Sequence, residues 1–352
     1  MLVESIEAKW LDCFRRVFRL CAVQPGDRVA ILSETLSRKV NVKLAELALV
    51  DLGAQVFHVV LPSPAQKDPV AVRSTGSSHA IAGNAAVVEA LRMSSMVVDC
   101  TVEGLLHAPE LAAILAGGAR LMMISNEHPE ILERLMPDPA LAARVAQGVK
   151  MLDSATHMRV TSAAGTDLQV NLTGAPARGS AGFVTEPGKV SYWPAGLCLC
   201  FPRSGCVNGT VVLDVGDVNL TFKRYLESRV ELRIEDDFVT SVSGPGLDAQ
   251  LMSSYFSAWN DRNAYGISHI GWGMNPRARW DSLVMYDKHD TNGTELRAFA
   301  GNFLISTGAN EHAGRFTSGH FDLPLKGCTI ELDGQAIVRE GRLQAPLAGE
   351  TP

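Results

Sequence analysis

No stretch of this 352-residue chain reaches the roughly 18 uncharged apolar residues that a membrane helix requires, so no membrane span is expected. Runs of Lys and Arg with interleaved aromatics are also missing, and a formal net charge of −6 leaves no electrostatic footprint for nucleic acid. The N-terminal MLVESIEAKWLDCFRRVFRLCAV carries acids and bases throughout an amphipathic pattern, unlike a cleavable signal peptide. Cysteines number seven (Cys13, Cys21, Cys100, Cys198, Cys200, Cys206 and Cys328), an odd count without paired CxxC spacing, so no zinc ribbon is indicated. Reduced thiols in a cytoplasmic protein are the simplest account. Cys198 and Cys200 alternate in LCLCF, which suits one buried strand face better than a redox pair. There is no internal repeat, and the tail QAPLAGETP is expected to fray.

What is present is an ordinary globular composition, 46% hydrophobic and 20% charged, long enough for about two domains. Residues 1–155 alternate helical and strand patterns: a helix over Leu2–Cys21, the strand RVAILSE, a helix over Val40–Leu52, the strand QVFHVVLP, then MVVDCTV and ARLMMISN separated by NAAVVEALRM and PELAAILAG. That alternation predicts an α/β domain with a doubly wound, mostly parallel sheet. SETLSRK follows the first strand where a dinucleotide-binding domain would carry GxGxxG, which argues against such a site. From 156 to 352 the segments HMRVTSA, DLQVNL, LCLCFP, GTVVLDV, VNLTF, RVELRIE and FVTSVSG are short, β-branched and bounded by Gly, Asp and Pro. They predict an antiparallel sheet-rich domain, interrupted by one helix, LDAQLMSSYFSAWN. The whole reads as α/β followed by α+β.

Two segments of this second half carry chemistry. GISHIGWG holds His269 and TSGHFDLPLKGC holds His320 and Asp322. If Gly319–Leu323 is extended, His320 and Asp322 point to one side while Phe321 turns into packing. Two imidazoles and one carboxylate on one face of a metal leave the opposite positions open, the logic of non-haem Fe(II) oxygenases. On spacing alone, hydrogen-bonded structural histidines are the more frequent account, since HxD is a short pattern.

The strings YGISHIGWGMNPRARW, EPG at 186–188, YWPAG at 192–196, VVLDVGD at 211–217, AFAGNFLISTG at 298–308 and GHFDLPLKGC at 319–328 resemble the 2,5-dihydroxypyridine 5,6-dioxygenase family, as do GNAAVVEALRMSSMVVD and LLHAPE in the first half. The resemblance spans nearly the whole chain. It implies an aminopeptidase T-like fold, a C-terminal metal-binding domain with one Fe(II) on His269, His320 and Asp322, and no organic cofactor. It also implies O2-dependent cleavage of a hydroxylated pyridine ring to N-formylmaleamate, in nicotinate-type catabolism.

Under the resemblance His107 is a substrate-contacting acid–base group, which an imidazole suits. Read locally, it is equally a residue at the start of the helix PELAAILAG. The chain departs from the family pattern at Tyr192, where a second pocket His is expected, and at Ser180, where a Glu is expected. Both positions are therefore expected to touch the substrate and alter its recognition, the phenol being a poor proton acceptor near neutrality. Arg277, Arg279 and Trp280 are candidates to orient an anionic ring oxygen by a forked hydrogen bond and stacking, and His312 to line the site. His79, His128, His157 and His289 are expected to be solvated or structural.

A hydroxypyridine and O2 are the expected partners, and a homo-oligomer is expected. The competing reading is a two-metal hydrolase of the aminopeptidase T type, needing a further carboxylate such as Glu295 close to Asp322. A non-catalytic pyridine-binding scaffold is a third.

Overall fold

A computed structural model of the chain describes residues 5–65 and 77–348. The first part contains helices α1 (Ala8–Leu20), α2 (Lys39–Asp51), α3 (Ala85–Arg92), α4 (Leu111–Ala116), α5 (Pro129–Arg134) and α6 (Pro139–Ser154), with strands β1 (Arg28–Glu34), β2 (Gln55–Leu61), β3 (Met96–Asp99) and β4 (Arg120–Ile124). Their parallel sheet runs β2-β1-β3-β4 and is completed by β8 (Val190–Trp193), paired parallel to β4. Alternate strand residues face opposite layers. Val29, Ile31, Val98 and Met122 pack with Phe14, Val17 and Leu44 of α1 and α2, whereas Ala30, Leu32, Val97 and Leu121 pack with Leu91 and Ile114 of α3 and α4. The doubly wound reading thus holds, but its last strand comes from beyond the expected boundary at 155. Parallel pairing to β4 is non-local, and nothing in VSYW announces it.

The expected helix from Leu2 begins at Ala8, and the part of that expectation before residue 5 lies outside the described residues. No helix among the described residues is long and apolar enough to cross a membrane.

The remaining chain forms two antiparallel sheets. Strands β5 (His157–Ser162), β6 (Asp167–Asn171), β10 (Val207–Leu213), β13 (Val230–Glu235), β14 (Phe238–Ser243), β18 (Cys328–Leu332), β19 (Gln335–Arg339) and β20 (Arg342–Leu343) make one, ordered β14-β13-β10-β6-β5-β18-β19-β20. Strands β7 (Ala177–Ser180), β9 (Leu197–Cys200), β15 (Ile267–Gly273), β16 (Phe303–Asn310) and β17 (Arg315–Leu325) make the other, ordered β17-β16-β15-β9-β7. The expected strand VNLTF shrinks to β11 (Val218–Asn219), paired with β12 (Arg224–Tyr225). The expected helix appears as α7 (Leu247–Ala258), and short helices α8 (Ser282–Met285) and α9 (Thr294–Ala298) follow β15.

One core lies between these two sheets, where Val160, Leu168, Val211 and Ile330 of the first meet Cys198, Cys200, Ile270, Trp272, Ile305 and Phe321 of the second. Both cysteines of LCLCF are buried there, as the alternation predicts. The tail does not fray at its start: Leu347 is fully buried in the same core.

The other face of the five-stranded sheet turns toward the parallel domain. Buried Glu127, after β4, accepts the N–H groups of Asn292 and Thr294 at 2.7 and 3.0 Å. Arg134 of α5 grips the fully buried Glu295 of α9 at 2.7 Å. These contacts hold the short helix α9 against the first domain.

Candidate metal centre

Three adjacent strands present the site, and their register explains which residues face it. His269 pairs with Ser306, and Ser306 with Asp322. Cross-strand partners share a face, so these three side chains stand together, with His320 two residues before Asp322 on the same side. On the opposite side Ile270, Ile305, Phe321 and Leu323 enter the core.

In a regular strand Ile267 and His269 would share a face. A bulge between them adds Ser268, so that Ile267 joins the core while His269 turns to the other side.

Each ring nitrogen of His269 meets a serine hydroxyl. The Ser268 hydroxyl donates to the carbonyl of Ala309 at 2.5 Å, so it accepts at its 3.2 Å contact with His269 Nδ1. The Ser306 hydroxyl likewise donates elsewhere, to Asp322 Oδ1, so its oxygen faces Nε2 as an acceptor. That Nε2 lies 2.9 Å from Ser306 Oγ and 3.5 Å from Asp322 Oδ1. His320 Nε2 stands 3.2 Å from the same oxygen. Its backbone is pinned by the Tyr255 hydroxyl of α7, which donates to the His320 carbonyl and accepts its N–H at 2.9 Å. The second carboxylate oxygen of Asp322 accepts Arg297 Nε at 2.6 Å, while Ser306 Oγ donates to Oδ1.

His107 completes the group from the first domain. Its ring lies 5.3 Å from that of His320 and 6.1 Å from that of His269. One ligand-capable nitrogen from each of the three imidazoles falls within 4.8 Å of the others. The local reading of His107 as a helix-start residue fails: α4 begins only at Leu111, with Glu110 at its N-cap position.

Burial opposes the charge of Asp322, yet the Arg297 guanidinium and the two imidazoles outweigh it and hold the carboxyl well below its usual range. Burial pushes His269 down, against the pull of Asp322. His107 is lowered to about 3 by burial, with His320 and His269 adding to the effect. Imidazoles gathered around an ionised carboxylate are donors that suit a divalent transition metal. Beside them Leu197, Leu199 and Leu304 make an apolar wall against which Tyr192 and Phe201 pack.

Other expected site residues are placed differently. Ser180 is buried, with its hydroxyl 3.0 Å from the Tyr192 carbonyl and 3.4 Å from the Ser191 hydroxyl, so it stitches β7 to β8 in place of touching a ligand. Arg277 binds the Met136 carbonyl and Asp138, and Arg279 pairs with Asp281. Trp280 donates to the Gly216 carbonyl and packs on Phe299. None of these three has a hydrogen bond, ion pair or ring contact with the histidines or Asp322, because the loop after β15 turns back toward α6 and β11. His312 stands one ring removed, 5.5 Å from Phe201, which is itself 5.8 Å from His269. His79, His157 and His289 are exposed and His128 caps α5. Glu295 is taken up by Arg134 and the Arg279 N–H, so it does not provide the second-metal carboxylate of the hydrolase reading.

Arg297, Ser306 and Ser268 were not singled out from the sequence. The one available signal was polar residues within otherwise apolar strand runs.

The sequence model of the 2,5-dihydroxypyridine 5,6-dioxygenase family matches residues 9–345. A 2,5-dihydroxypyridine 5,6-dioxygenase of Pseudomonas putida KT2440 is 38% identical over 345 residues, covering 96% of this chain and 97% of that protein. The solved structure of the 2,5-dihydroxypyridine dioxygenase from the same organism superposes with a TM-score of 0.90 at 37% identity, covering 97% of this chain and 99% of that one. AmpT from Thermus thermophilus shares the fold, with a TM-score of 0.64 at 14% identity over 95% of this chain and 98% of its own.

Proposed function

The chain belongs to the 2,5-dihydroxypyridine 5,6-dioxygenase family, and we propose that it cleaves 2,5-dihydroxypyridine with O2 to N-formylmaleamate at one Fe(II) held by His269, His320 and Asp322. The observation that carries this reading is the convergence of two buried imidazoles, a half-buried third and one Arg-bound carboxylate beside an apolar wall. Two imidazoles and a carboxylate suit Fe(II) and leave positions open for other ligands. Bound iron supplies a route for electrons between an electron-rich ring and O2.

The chain's own residues do the rest. His107 faces the ring hydroxyl with the nitrogen turned toward the other imidazoles, accepts its hydrogen bond and takes its proton. Arg297 fixes Asp322 Oδ2 and leaves Oδ1 beside both His Nε2 atoms. Leu197, Leu199, Leu304 and Phe201 pack the flat ring and exclude water. Tyr192, whose phenol is pushed up by burial, stays protonated and donates a hydrogen bond to a ring substituent. The cytoplasm is the setting we propose, in keeping with seven free thiols. We also expect a homo-oligomer, supported by exposed Leu36, Val50, Phe57 and Val60 on and around the edge strand β2.

A second reading has its own observation: one nitrogen each of His107, His269 and His320 lies within 4.8 Å of the others, which would make His107 a ligand and Asp322 an orienting group for the two histidines beside it. Iron content decides between them. His107→Ala should retain about one iron per chain and lose about 10²-fold in kcat; loss of the iron from that variant, with retention in Asp322→Ala, establishes the three-imidazole set.

A further inference from the structure

The parallel sheet reverses its order between β1 and β3, since β2 lies outward of one and β4 outward of the other. Loops leaving the C-terminal ends of such strands flank a crevice, the usual place for function in this architecture. Glu34 ends β1 and Asp99 ends β3, and both are buried.

Both carboxylates bind one loop, and Glu34 also accepts the Ser78 hydroxyl at 3.5 Å. Asp99 Oδ1 accepts the Thr101 N–H at 3.0 Å and the Thr101 hydroxyl at 2.7 Å, while Oδ2 accepts the Leu105 N–H at 2.7 Å. The Thr101 hydroxyl in turn accepts the Gly104 N–H at 3.1 Å. Glu34 Oε1 accepts the Val102 N–H at 2.7 Å. The turn calls for glycine as well: Gly104 has φ +78, a left-handed conformation that other residues rarely adopt. Two residues beyond Leu105 stands His107.

Two buried acids of like charge near one another are a costly arrangement unless their hydrogen bonds do something that apolar packing would not. We propose that Asp99, Glu34 and Thr101 are positioning residues that hold the loop so that the His107 imidazole meets the histidines of the other domain. This rests on the reading of His107 as the proton acceptor. Leu105 and Ala108 anchor the loop in the core beneath, but apolar anchors do not set its rotation. The carboxylates do, because three of the four tied N–H groups converge on Asp99 and its Thr101 relay.

The test uses the full iron-loaded chain and measures iron content, kcat and KM for 2,5-dihydroxypyridine. An Asp99→Asn side chain has one acceptor atom, so either Leu105 or Thr101 loses its partner; Thr101→Val removes only the relay, and Thr101→Ser keeps it. Asp99→Asn and Thr101→Val should each lower kcat about 10-fold, with KM and iron content within about twofold of wild type, and Thr101→Ser should restore kcat. In a His107→Ala background the same changes should alter kcat by less than about twofold, since coupled residues are not additive. Wild-type kcat in Thr101→Val, or an undiminished loss in the His107→Ala background, overturns the proposal. If Asp99→Asn does not fold, the two Thr101 variants decide. Wild-type kcat in His107→Ala alone is a different failure: it removes the proton-acceptor reading, and this proposal with it.

Discussion

The two large antiparallel sheets of the C-terminal region share one core, yet they treat polar residues in opposite ways. Along β13 burial alternates residue by residue, and β5 and β6 do nearly the same, because only one face of the eight-stranded sheet meets the core. Its outward residues, such as Arg233 paired with Glu235, stand in water. β15 is buried at every position and β16 at all but one, because the five-stranded sheet is covered on both faces. His269, Ser306, His320 and Asp322 therefore have no water to satisfy them and must satisfy one another. A polar residue in the first sheet is solvated surface. In the second it is a cost retained for a task, and metal binding is the task proposed for it.

The largest effect that tests this contrast falls on the doubly covered sheet. His269→Ala, His320→Ala and Asp322→Ala should each abolish bound iron and turnover while leaving the fold intact, read by metal analysis and circular dichroism. Full iron in any one of them removes that residue from the ligand set.

Next comes the apolar wall. Tyr192→His exchanges a protonated donor for an imidazole that also accepts, and a mismatched buried polar group costs on the order of 1 to 3 kcal/mol. The ranking of kcat/KM between 2,5-dihydroxypyridine and analogues carrying an added hydroxyl or carboxylate should shift by about 10-fold. An unchanged ranking means that Tyr192 does not set specificity.

A smaller effect is expected at the corner where β17 leaves one sheet for β18 of the other. Asp217 accepts the Lys326 N–H there at 2.8 Å, and burial raises its carboxyl from 3.8 to about 6. A folded-state value above the unfolded one gives stability that is fully present below pH 3.8 and lost as pH rises through about 6. Relative to Asp217→Asn, the wild type should lose on the order of 1 kcal/mol between pH 4 and 7, measured by urea titration. The opposite slope would mean that the hydrogen bonds outweigh burial. Smallest is Arg233→Ala on the solvated sheet, which should change stability by no more than about 0.5 kcal/mol and leave kcat alone.

Much of this was legible from local pattern. The alternation GHFDL sets His320 and Asp322 against Phe321, and β17 bears this out with Phe321 in the core. The helix–strand alternation of the first half, the helix at 247–258 and the buried Cys198 and Cys200 were equally readable. Others were not. Trp280 and Arg277 look like ring-binding groups beside the GISHIGWG motif, but sequence neighbours of a ligand follow the loop, which turns away. Ser180 and Tyr192 are tied together across two sheets, a contact without a local signal.

By itself the sequence determined which residues alternate, the helix–strand order at the start of the chain, the helix at 247–258, and which two segments carry candidate donors, because these follow from periods of two and 3.6 residues and from side-chain chemistry. Only the tertiary structure decided the rest. The bulge at Ser268 turns His269 to the site face, β8 crosses back into the parallel sheet, and α9, gripped by Glu127 and Arg134, delivers Arg297 to Asp322. The loop at the sheet's reversal brings His107 across from the other domain. Whether a sheet is covered on one face or two depends on what packs against it from far along the chain, and that coverage is what turns an HxD pattern into a buried donor set.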